Sequence, residues 1–572
     1  MSYLNIDSIK ARTYDAIVVG SGISGGWAAK ELTGKNLRTL VLERGRDVKH
    51  VTDYPTTMKQ PWELDHLGQA PRSLREANPI ASRCYAFGEA TSQFFAKDAD
   101  QPYVQEKPFD WIRAYQVGGK SLLWARQTQR WSELDFEGPA RDGFAVDWPI
   151  RYANLAPWYS YVERFAGISG QKDGLPQLPD GDFLPPHELN CAEKYFSNQM
   201  AKHYNNARPV IIGRCAHLTE AKPIHNQQGR VQCQNRTICE RGCIYGGYFS
   251  SNSSTIPWAQ KTGKMTLRPH SVVHSIIFDE QKNKATGVRV IDALTREMTE
   301  YYARIIFVNA AALNTNLLLL NSKSNRFQNG LGNDNGLMGK YVAFHNYRTS
   351  ISAEYDGHLD STTDGRRPNS GYIPRFRNLY KQETDFLRGY ASGFGADRIT
   401  YNDRAGIGES LKEGLVKTNY GGWRVGAHMM GETIPKESNL VRLDPVLTDQ
   451  WGIPQLNISV AYDDNDEKMI KDYHQQLTEM FTKAGFTNIQ THDKPNKAPG
   501  LDIHEMGGVR MGKDPKTSLL NRWNQLHACK NVFVTDGACM TSTATQNPSL
   551  TYMALTARAA DYAVKQMIKG NL

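Results

Sequence analysis

The stretch YDAIVVGSGISG, residues 14–25, decides the fold of this chain. A short β-branched run ends at a turn that fits the pattern G-x-G-x-x-G, and a helix-like stretch, residues 25–32, follows. A second strand-like run, residues 37–42, ends at Glu43. Strand, glycine turn, helix and second strand in this order predict a βαβ unit that binds a dinucleotide.

Each glycine of this pattern has a physical task in such a unit. Gly20 permits the tight turn, Gly22 lets the backbone approach a pyrophosphate, and Gly25 allows close packing of helix and strand. The diphosphate would lie on the helix N-terminus, whose free N–H groups favour anions. The Glu43 carboxylate suits a ribose hydroxyl. A purely structural glycine turn is the alternative, and the pattern does not choose between FAD and NAD.

Composition narrows the class of protein. The chain has 572 residues, a net charge of +9 and 40% hydrophobic residues, which is typical of a globular protein with several domains' worth of chain. Lys and Arg are dispersed, so we expect no nucleic-acid partner. The most apolar stretch, residues 305–320, contains three asparagines and is too short to cross a bilayer, so we expect no transmembrane segment.

The first fifteen residues, MSYLNIDSIKARTYD, lack a basic region followed by an apolar core. They therefore predict a cytoplasmic protein, or a periplasmic one if it is exported with a partner subunit.

The C-terminal region holds a second group of chemically informative residues. His504 begins HEMGGVRMG, and NVFVTDGACM, residues 531–540, predicts a buried strand that runs into Asp536-Gly537. QNPSLT, residues 546–551, then opens a long amphipathic helix. A proline at a helix start leaves free N–H groups beyond it, and these suit a flavin carbonyl or a phosphate.

Two further segments complete a family resemblance. VGGKSLLW, residues 117–124, and FVNAAALNTNLLL, residues 307–319, join the two ends in resembling the glucose–methanol–choline (GMC) oxidoreductase family. Within that family the chain is most like bacterial glucoside 3-dehydrogenases and the large subunits of FAD sugar dehydrogenases. The resemblance implies an α/β fold with a Rossmann-like FAD-binding domain and an inserted α+β substrate domain that contains an antiparallel sheet.

The resemblance also predicts the domain organisation. The FAD-binding domain is expected from three separated segments, residues 1–140, 226–345 and 498–572. Residues 346–497 form the substrate domain, and residues 141–225 form part of it or an irregular excursion, as the Pro/Gly-rich sequence at 175–189 indicates.

The site residues follow from the same resemblance. FAD would be bound by Gly20, Gly22, Gly25, Glu43, Gly118, Gly119, Ser121, Asp536, Gly537 and Pro548. His504 would accept the hydroxyl proton while hydride goes to flavin N5, and Asn547 would orient the alcohol. Leu123 stands where related enzymes with covalent flavin have a histidine, which implies non-covalent FAD. The remaining histidines with no comparable context are interpreted as structural: His270, His274, His345 and His527.

Three of the eight cysteines lie close together in sequence. Cys233, Cys239 and Cys243 lie on one loop, at a spacing that suits thiolate ligands of an inorganic cluster. The resemblance to cytochrome-linked sugar dehydrogenases implies a [3Fe–4S] cluster that passes electrons outward. Zinc with a fourth ligand from Cys215 or His225 is an alternative, and structural thiols or a disulfide are another.

These observations predict an FAD-dependent dehydrogenase that oxidises a secondary hydroxyl of a sugar or glycoside. The resemblance places the reaction at C3, giving a 3-keto sugar, and implies a small subunit and a cytochrome c electron acceptor as partners. Two other functions remain open: an FAD sugar oxidase that uses O2, and a non-catalytic flavoprotein subunit of an electron-transfer complex.

Overall fold

The computed structural model describes residues 12–362, 367–402 and 405–572. In chain order the strands are β1 Thr13–Val19, β2 Thr39–Leu42, β3 Val104–Gln105, β4 Ile211–Ile212, β5 Met265–Arg268, β6 Ser271–Asp279, β7 Lys284–Asp292, β8 Met298–Val308, β9 His345–Asn346, β10 Thr349–Tyr355, β11 Gly371–Ile373, β12 Tyr390–Asn402, β13 Thr418–Glu432, β14 Leu440–Thr448, β15 Pro454–Ser459, β16 Thr487–Asp493 and β17 Val532–Val534.

The α-helices of the described residues are α1 Ile23–Gly34, α2 Arg72–Ala77, α3 Glu133–Arg141, α4 Tyr152–Ala166, α5 Cys191–Tyr204, α6 Pro223–Gln227, α7 Thr255–Lys261, α8 Ala312–Asn321, α9 Glu409–Val416, α10 Asp464–Lys483 and α11 Ser549–Ile568. None of these helices is long and apolar enough to cross a membrane.

The first sheet has the strand order β5-β2-β1-β8-β7-β6, and β17 pairs with β8. Strands β5, β2, β1, β8 and β17 run parallel, whereas β6 and β7 add an antiparallel edge. Helix α1 packs against α7 and α11. Because helices cover it, β1 is an almost continuous apolar run rather than an alternating one.

The predicted elements of this sheet are present, but two of them differ in their bounds. The sequence of residues 265–278 predicts a single strand, but the stretch forms β5 and β6. His270 lies between them with a φ of +54°, a left-handed conformation that ends one strand and starts the next. The predicted helix at the glycine turn begins two residues earlier, at Ile23.

The second sheet is antiparallel, with the order β16-β10-β13-β12-β11-β4 and β9 paired to β13. Helices α10 and α5 pack against it. Its core contains aromatic side chains such as Phe196, Trp423 and Tyr473, each of them fully buried. A Rossmann-like sheet beside an antiparallel one confirms the predicted fold class. A third, small sheet has the order β14-β15-β3.

The parallel strands position the site. β1, β2 and β8 end at Val19, Leu42 and Val308, at the same edge of the first sheet. The residues that follow these ends, Gly20, Glu43 and Asn309, therefore meet at the carboxyl edge, where ligands of open α/β sheets bind.

Candidate active site

A cavity of about 490 Å³ extends from the carboxyl edge of the first sheet to the second sheet, where Tyr372 of β11 and Met430 of β13 line it. Most of the residues predicted for cofactor binding and catalysis line this cavity: Gly20, Gly22, Glu43, Gly119, Ser121, His504, Asp536, Gly537, Asn547 and Pro548. The predicted residues outside its wall are Gly25, Gly118, Cys233, Cys239 and Cys243.

The three glycines of the turn have different structural roles. Gly20 has a φ of +93°, which favours glycine. A Cβ on Gly25 would lie 2.0 Å from the Gly20 carbonyl oxygen, so Gly25 serves helix–strand packing rather than the cavity wall. A Cβ on Gly22 would meet no atom of the described residues within 4 Å, so this position faces open space.

Glu43 holds the turn from the next strand end. Its Oε2 accepts hydrogen bonds from the Ser21 amide at 3.2 Å and the Ser21 hydroxyl at 2.6 Å. Its Oε1 accepts from the Gly45 amide at 3.0 Å. Burial raises the pKa of Glu43, and these hydrogen bonds oppose that rise. Each carboxylate oxygen can accept more than one hydrogen bond, which leaves capacity for a ribose hydroxyl.

Several buried polar groups on the cavity wall have no hydrogen-bond partner among the described residues. These groups include Asn309 Nδ2, Asp502 Oδ1, Glu505 Oε1 and Tyr552 OH. Helix α1 begins at the cavity without a side-chain cap, so its first N–H groups are free for an anion. Buried polar groups normally have partners, so this wall fits a large ligand with a diphosphate and several polar groups, as FAD has.

His504 and Asn547 lie side by side on the cavity wall. Asn547 Nδ2 lies 3.2 Å from His504 Nε2, and Asn547 precedes the proline at the start of α11. Burial, together with the nearby His345 and Lys120, holds the pKa of His504 well below its usual value of 6.5. The imidazole is therefore neutral at physiological pH and has one ring nitrogen free to accept a proton.

His345 is a neighbour of His504 that sequence reasoning missed. Its Nδ1 lies 2.9 Å from His504 Nδ1, and the two rings are nearly perpendicular at 89°. Its backbone N–H donates to Asp502 Oδ2 at 2.8 Å, and burial raises the pKa of Asp502 to about 7. His345 lies 159 residues before His504 and no motif flanks it, so only the fold brings the two together.

The cysteine loop lies behind the cavity wall rather than in it. A turn at Cys239–Arg241 packs against the Gly119–Leu122 turn, which lines the cavity. The eight cysteines are free thiols, so the structure holds no disulfide among them. Burial raises the pKa of Cys239 to about 12, whereas the Arg126 charge lowers it.

A single zinc ion does not match the arrangement of this loop. Zinc ligands at about 2.3 Å from the metal lie within about 4 Å of one another. Among the described residues, no group of three ligand atoms within 4.8 Å of one another includes a cysteine of the loop. Cys215 Sγ contacts Ser169 Oγ, and both His225 nitrogens have other partners. Instead, His217 Nε2 lies 3.7 Å from Cys239 Sγ.

Comparisons with known proteins find relatives that match almost the whole chain. The family model described as GMC oxidoreductase matches residues 106–344 and 435–556. The chain is 28% identical to 2-methyl-1,2-propanediol dehydrogenase of Mycolicibacterium austroafricanum, over 96% of this chain and 94% of that protein. It is 25% identical to the fructose dehydrogenase large subunit of Gluconobacter japonicus, over 97% and 98%.

A solved structure supports the fold. A variant of formate oxidase from Aspergillus oryzae superposes with a TM-score of 0.60 at 14% identity, covering 98% of this chain and 99% of that one.

Proposed function

Because this chain belongs to the GMC oxidoreductase family, we propose that it is a dehydrogenase that oxidises a secondary hydroxyl of a sugar or glycoside. As a member, it is an FAD-dependent oxidoreductase that acts on alcohol or sugar-like substrates. The proposal goes further in naming the sugar class, the C3 position that gives a 3-keto sugar, and an external electron acceptor rather than O2.

The His504–Asn547 pair carries the proposal. An alcohol whose hydroxyl lies near His504 Nε2 can give its proton to the neutral imidazole, which raises electron density on the carbinol carbon. Asn547 cannot take up a proton, so its amide orients the hydroxyl while the proton stays on His504. Bound FAD supplies the acceptor for the hydride that leaves the carbinol carbon. Gly20, Gly22 and Glu43 would hold its diphosphate and ribose.

Polar side chains at the far end of the cavity support a sugar substrate. Gln127, Tyr347, Ser370, Tyr372 and His428 line that end, and each can donate or accept a hydrogen bond. Gln127 already bonds Asn369 and Gln129. The groups without such partners favour a ligand that can bond them, because a ligand without hydroxyl groups would leave them unpaired. This pattern suits a molecule with several hydroxyl groups better than a simple aliphatic alcohol.

The cysteine loop supports an electron exit. Three thiolates on a loop next to the cavity wall suit a multi-iron cluster, whose cysteine ligands are more widely spaced than those of one zinc ion. We therefore propose that Cys233, Cys239 and Cys243 bind a [3Fe–4S] cluster that hands electrons to a cytochrome c. One relative is named a large subunit, which supports a small partner subunit here. Export with such a subunit would place the complex in the periplasm.

Anaerobic sugar titration tests the function. Methyl glucoside should bleach the flavin absorbance of the holoenzyme, and product analysis should find the 3-keto sugar. His504→Ala should retain FAD but reduce the bleaching rate by about 10²- to 10⁴-fold. The control is His527→Ala, because His527 bonds Ser518 Oγ outside the cavity wall and its loss should leave the rate unchanged.

Each other outcome of this experiment identifies a different function. Stoichiometric peroxide in air would show an oxidase. Flavin that no sugar or alcohol can bleach would show a non-catalytic flavoprotein. A His504→Ala variant with the wild-type rate would remove His504 from the chemistry.

A further inference from the structure

We propose that His345 is a positioning residue that fixes the proton of His504 on Nδ1 and thereby leaves His504 Nε2 free to accept the substrate proton. The inference rests on the proposed role of His504 as the base. It adds a residue that does not touch the substrate and acts only through the hydrogen bond between the two Nδ1 atoms, which are 2.9 Å apart.

The Ala544 carbonyl oxygen fixes the tautomer of His345. His345 Nε2 lies 3.0 Å from the Ala544 carbonyl oxygen, and a carbonyl oxygen can only accept. His345 Nε2 must therefore hold a hydrogen. The ring is fully buried, and burial lowers its pKa to about 4, so the ring is neutral and has that one hydrogen alone. His345 Nδ1 is then an acceptor.

The hydrogen bond between the two rings fixes the tautomer of His504 in turn. Two ring nitrogens 2.9 Å apart form a hydrogen bond only if one of them donates. Since His345 Nδ1 accepts, His504 Nδ1 must donate. The single hydrogen of the neutral His504 ring therefore lies on Nδ1, and Nε2 has its lone pair directed at the Asn547 amide and the cavity. Which nitrogen of a histidine is protonated is set by the hydrogen bond of the other nitrogen.

The surroundings of His345 keep its ring in this orientation. Its backbone N–H is held by Asp502 Oδ2 at 2.8 Å, and its strand, β9, pairs with Glu432 of β13. Ala544 has a φ of +54°, an uncommon conformation for a residue with a side chain, and its carbonyl lies on His345 Nε2. The second sheet therefore holds in place His345, which determines the tautomer of His504.

The charged and titratable groups around His504 do not replace this acceptor. Lys120 can only donate, and it is paired with Glu505 Oε2 at 3.2 Å. Asp502 Oδ2 accepts from the His345 backbone, and the second oxygen, Oδ1, forms no hydrogen bond with His504. Without His345, the neutral His504 ring would be free to place its hydrogen on Nε2, where it would face the substrate and could not accept a proton.

Nuclear magnetic resonance of the holoenzyme tests the tautomer directly. The protein is labelled with ¹⁵N-histidine, and the His504 signals are assigned by their loss in His504→Asn. We expect wild-type His504 to be protonated on Nδ1, His345→Leu to shift the proton toward Nε2, and His345→Asn to restore the Nδ1 form, because the asparagine carbonyl oxygen replaces the acceptor. An Nε2-protonated His504 in the wild type, or the same tautomer in His345→Leu, would overturn the inference.

Flavin reduction gives a second readout. At saturating sugar, His345→Leu should lower the reduction rate on the order of 10²-fold with a KM within about threefold of wild type, as expected for a base in the wrong tautomer. His345→Asn should recover most of the rate. His345→Phe, which keeps the ring volume without nitrogens, replaces the leucine variant if that one does not retain FAD. A rate within about threefold of wild type in the leucine or phenylalanine variant would contradict the proposal.

His225 provides the matched control. It is also buried, its Nδ1 accepts from the Lys222 amide at 3.1 Å, and its Nε2 lies 3.0 Å from the Arg164 carbonyl oxygen. His225→Leu therefore removes the same pair of hydrogen bonds outside the cavity wall and should leave the rate unchanged; a loss equal to that of His345→Leu would mark the effect as general destabilisation. If no sugar reduces the wild-type enzyme, the proposed function fails, whereas the tautomer measurement still decides this inference.

Discussion

Arg126 Nη2 lies 2.8 Å from Glu240 Oε1, and this ion pair joins the cavity wall to the cysteine loop. Arg126 lines the cavity and is almost fully buried, and its charge lowers the pKa of Cys239. A buried cation at this position stabilises negative charge in the cavity and on the cysteine loop.

We expect Arg126→Gln to lower the reduction potential of a metal centre bound by the cysteine loop, because the variant removes a positive charge that favours the reduced, more negative state. Potentiometric titration followed by electron paramagnetic resonance measures the shift. Arg289→Gln is the control, since it removes a positive charge from β7, outside the cysteine loop and the cavity wall. Equal potentials in wild type and Arg126→Gln would contradict the expected coupling.

Cys239→Ser should separate flavin reduction by the sugar from electron transfer to cytochrome c. The variant removes one thiolate of the loop, so we expect iron to be lost while FAD content and sugar-dependent flavin bleaching stay near the wild-type level. Reduction of cytochrome c should fall by at least about tenfold, because the route for electrons is interrupted. Metal analysis and stopped-flow absorbance measure these quantities. Cys191→Ser, outside the loop, is the control, and unchanged iron in Cys239→Ser would rule out the cluster.

Two glycines of the turn should respond differently to alanine. Gly25→Ala forces a Cβ to within 2.0 Å of the Gly20 carbonyl oxygen, so it should lower the melting temperature and the FAD content together. Gly22→Ala places its Cβ in open space, so the melting temperature of the apoprotein should change little while FAD binds more weakly. Calorimetry and FAD titration measure the two effects. Tight FAD binding by Gly22→Ala would argue against a diphosphate at this turn.

Asp502 should give the activity a pH dependence. Its pKa is raised to about 7 by burial, so the fraction of carboxylate increases as the pH rises through that value. A carboxylate near His504 stabilises the positive charge that His504 gains with the substrate proton. We therefore expect flavin reduction to rise on the order of tenfold between about pH 6 and about pH 8. The pKa of His504 itself lies well below 6.5, so it adds no titration in this range.

Asp502→Asn tests the origin of that pH dependence. Its reduction rate should stay flat over the same range, at the level of the wild type at low pH. If the reduction rate of Asp502→Asn rises with pH as that of the wild type does, the titrating group is not Asp502.

We expect denaturation of the protein to release FAD that is chemically unchanged. Leu123 lines the cavity and offers no nucleophile at the position where a covalent histidine link is found in related enzymes. Acid precipitation should therefore release all of the flavin into the supernatant, where its absorbance and mass are those of FAD. Flavin absorbance that stays with the precipitate would show a covalent bond.

The predictability of the site depended on how far apart its parts lie in sequence. Gly20 and Glu43 belong to one local βαβ pattern, and His504 is flanked by a glycine-rich segment, so short-range chemistry pointed to each of them. His345 has neither advantage, because its role arises from a contact across 159 residues. The order of the antiparallel strands was likewise hidden, since alternating patterns do not specify which strand pairs with which.

The strand β17 closes the first sheet, and this has a consequence for synthesis. Phe533 stacks on Phe307 of β8 with ring centroids 5.0 Å apart, and α11 packs against α1, although these two helices lie near opposite ends of the chain. While the polypeptide is still emerging from the ribosome, the edge of β8 at residues 306–308 has no strand to pair with. The nucleotide-binding part of the protein therefore reaches its final form only after β17 and α11 have been synthesised, and until then the nascent chain depends on slow, long-range contacts and on protection from aggregation.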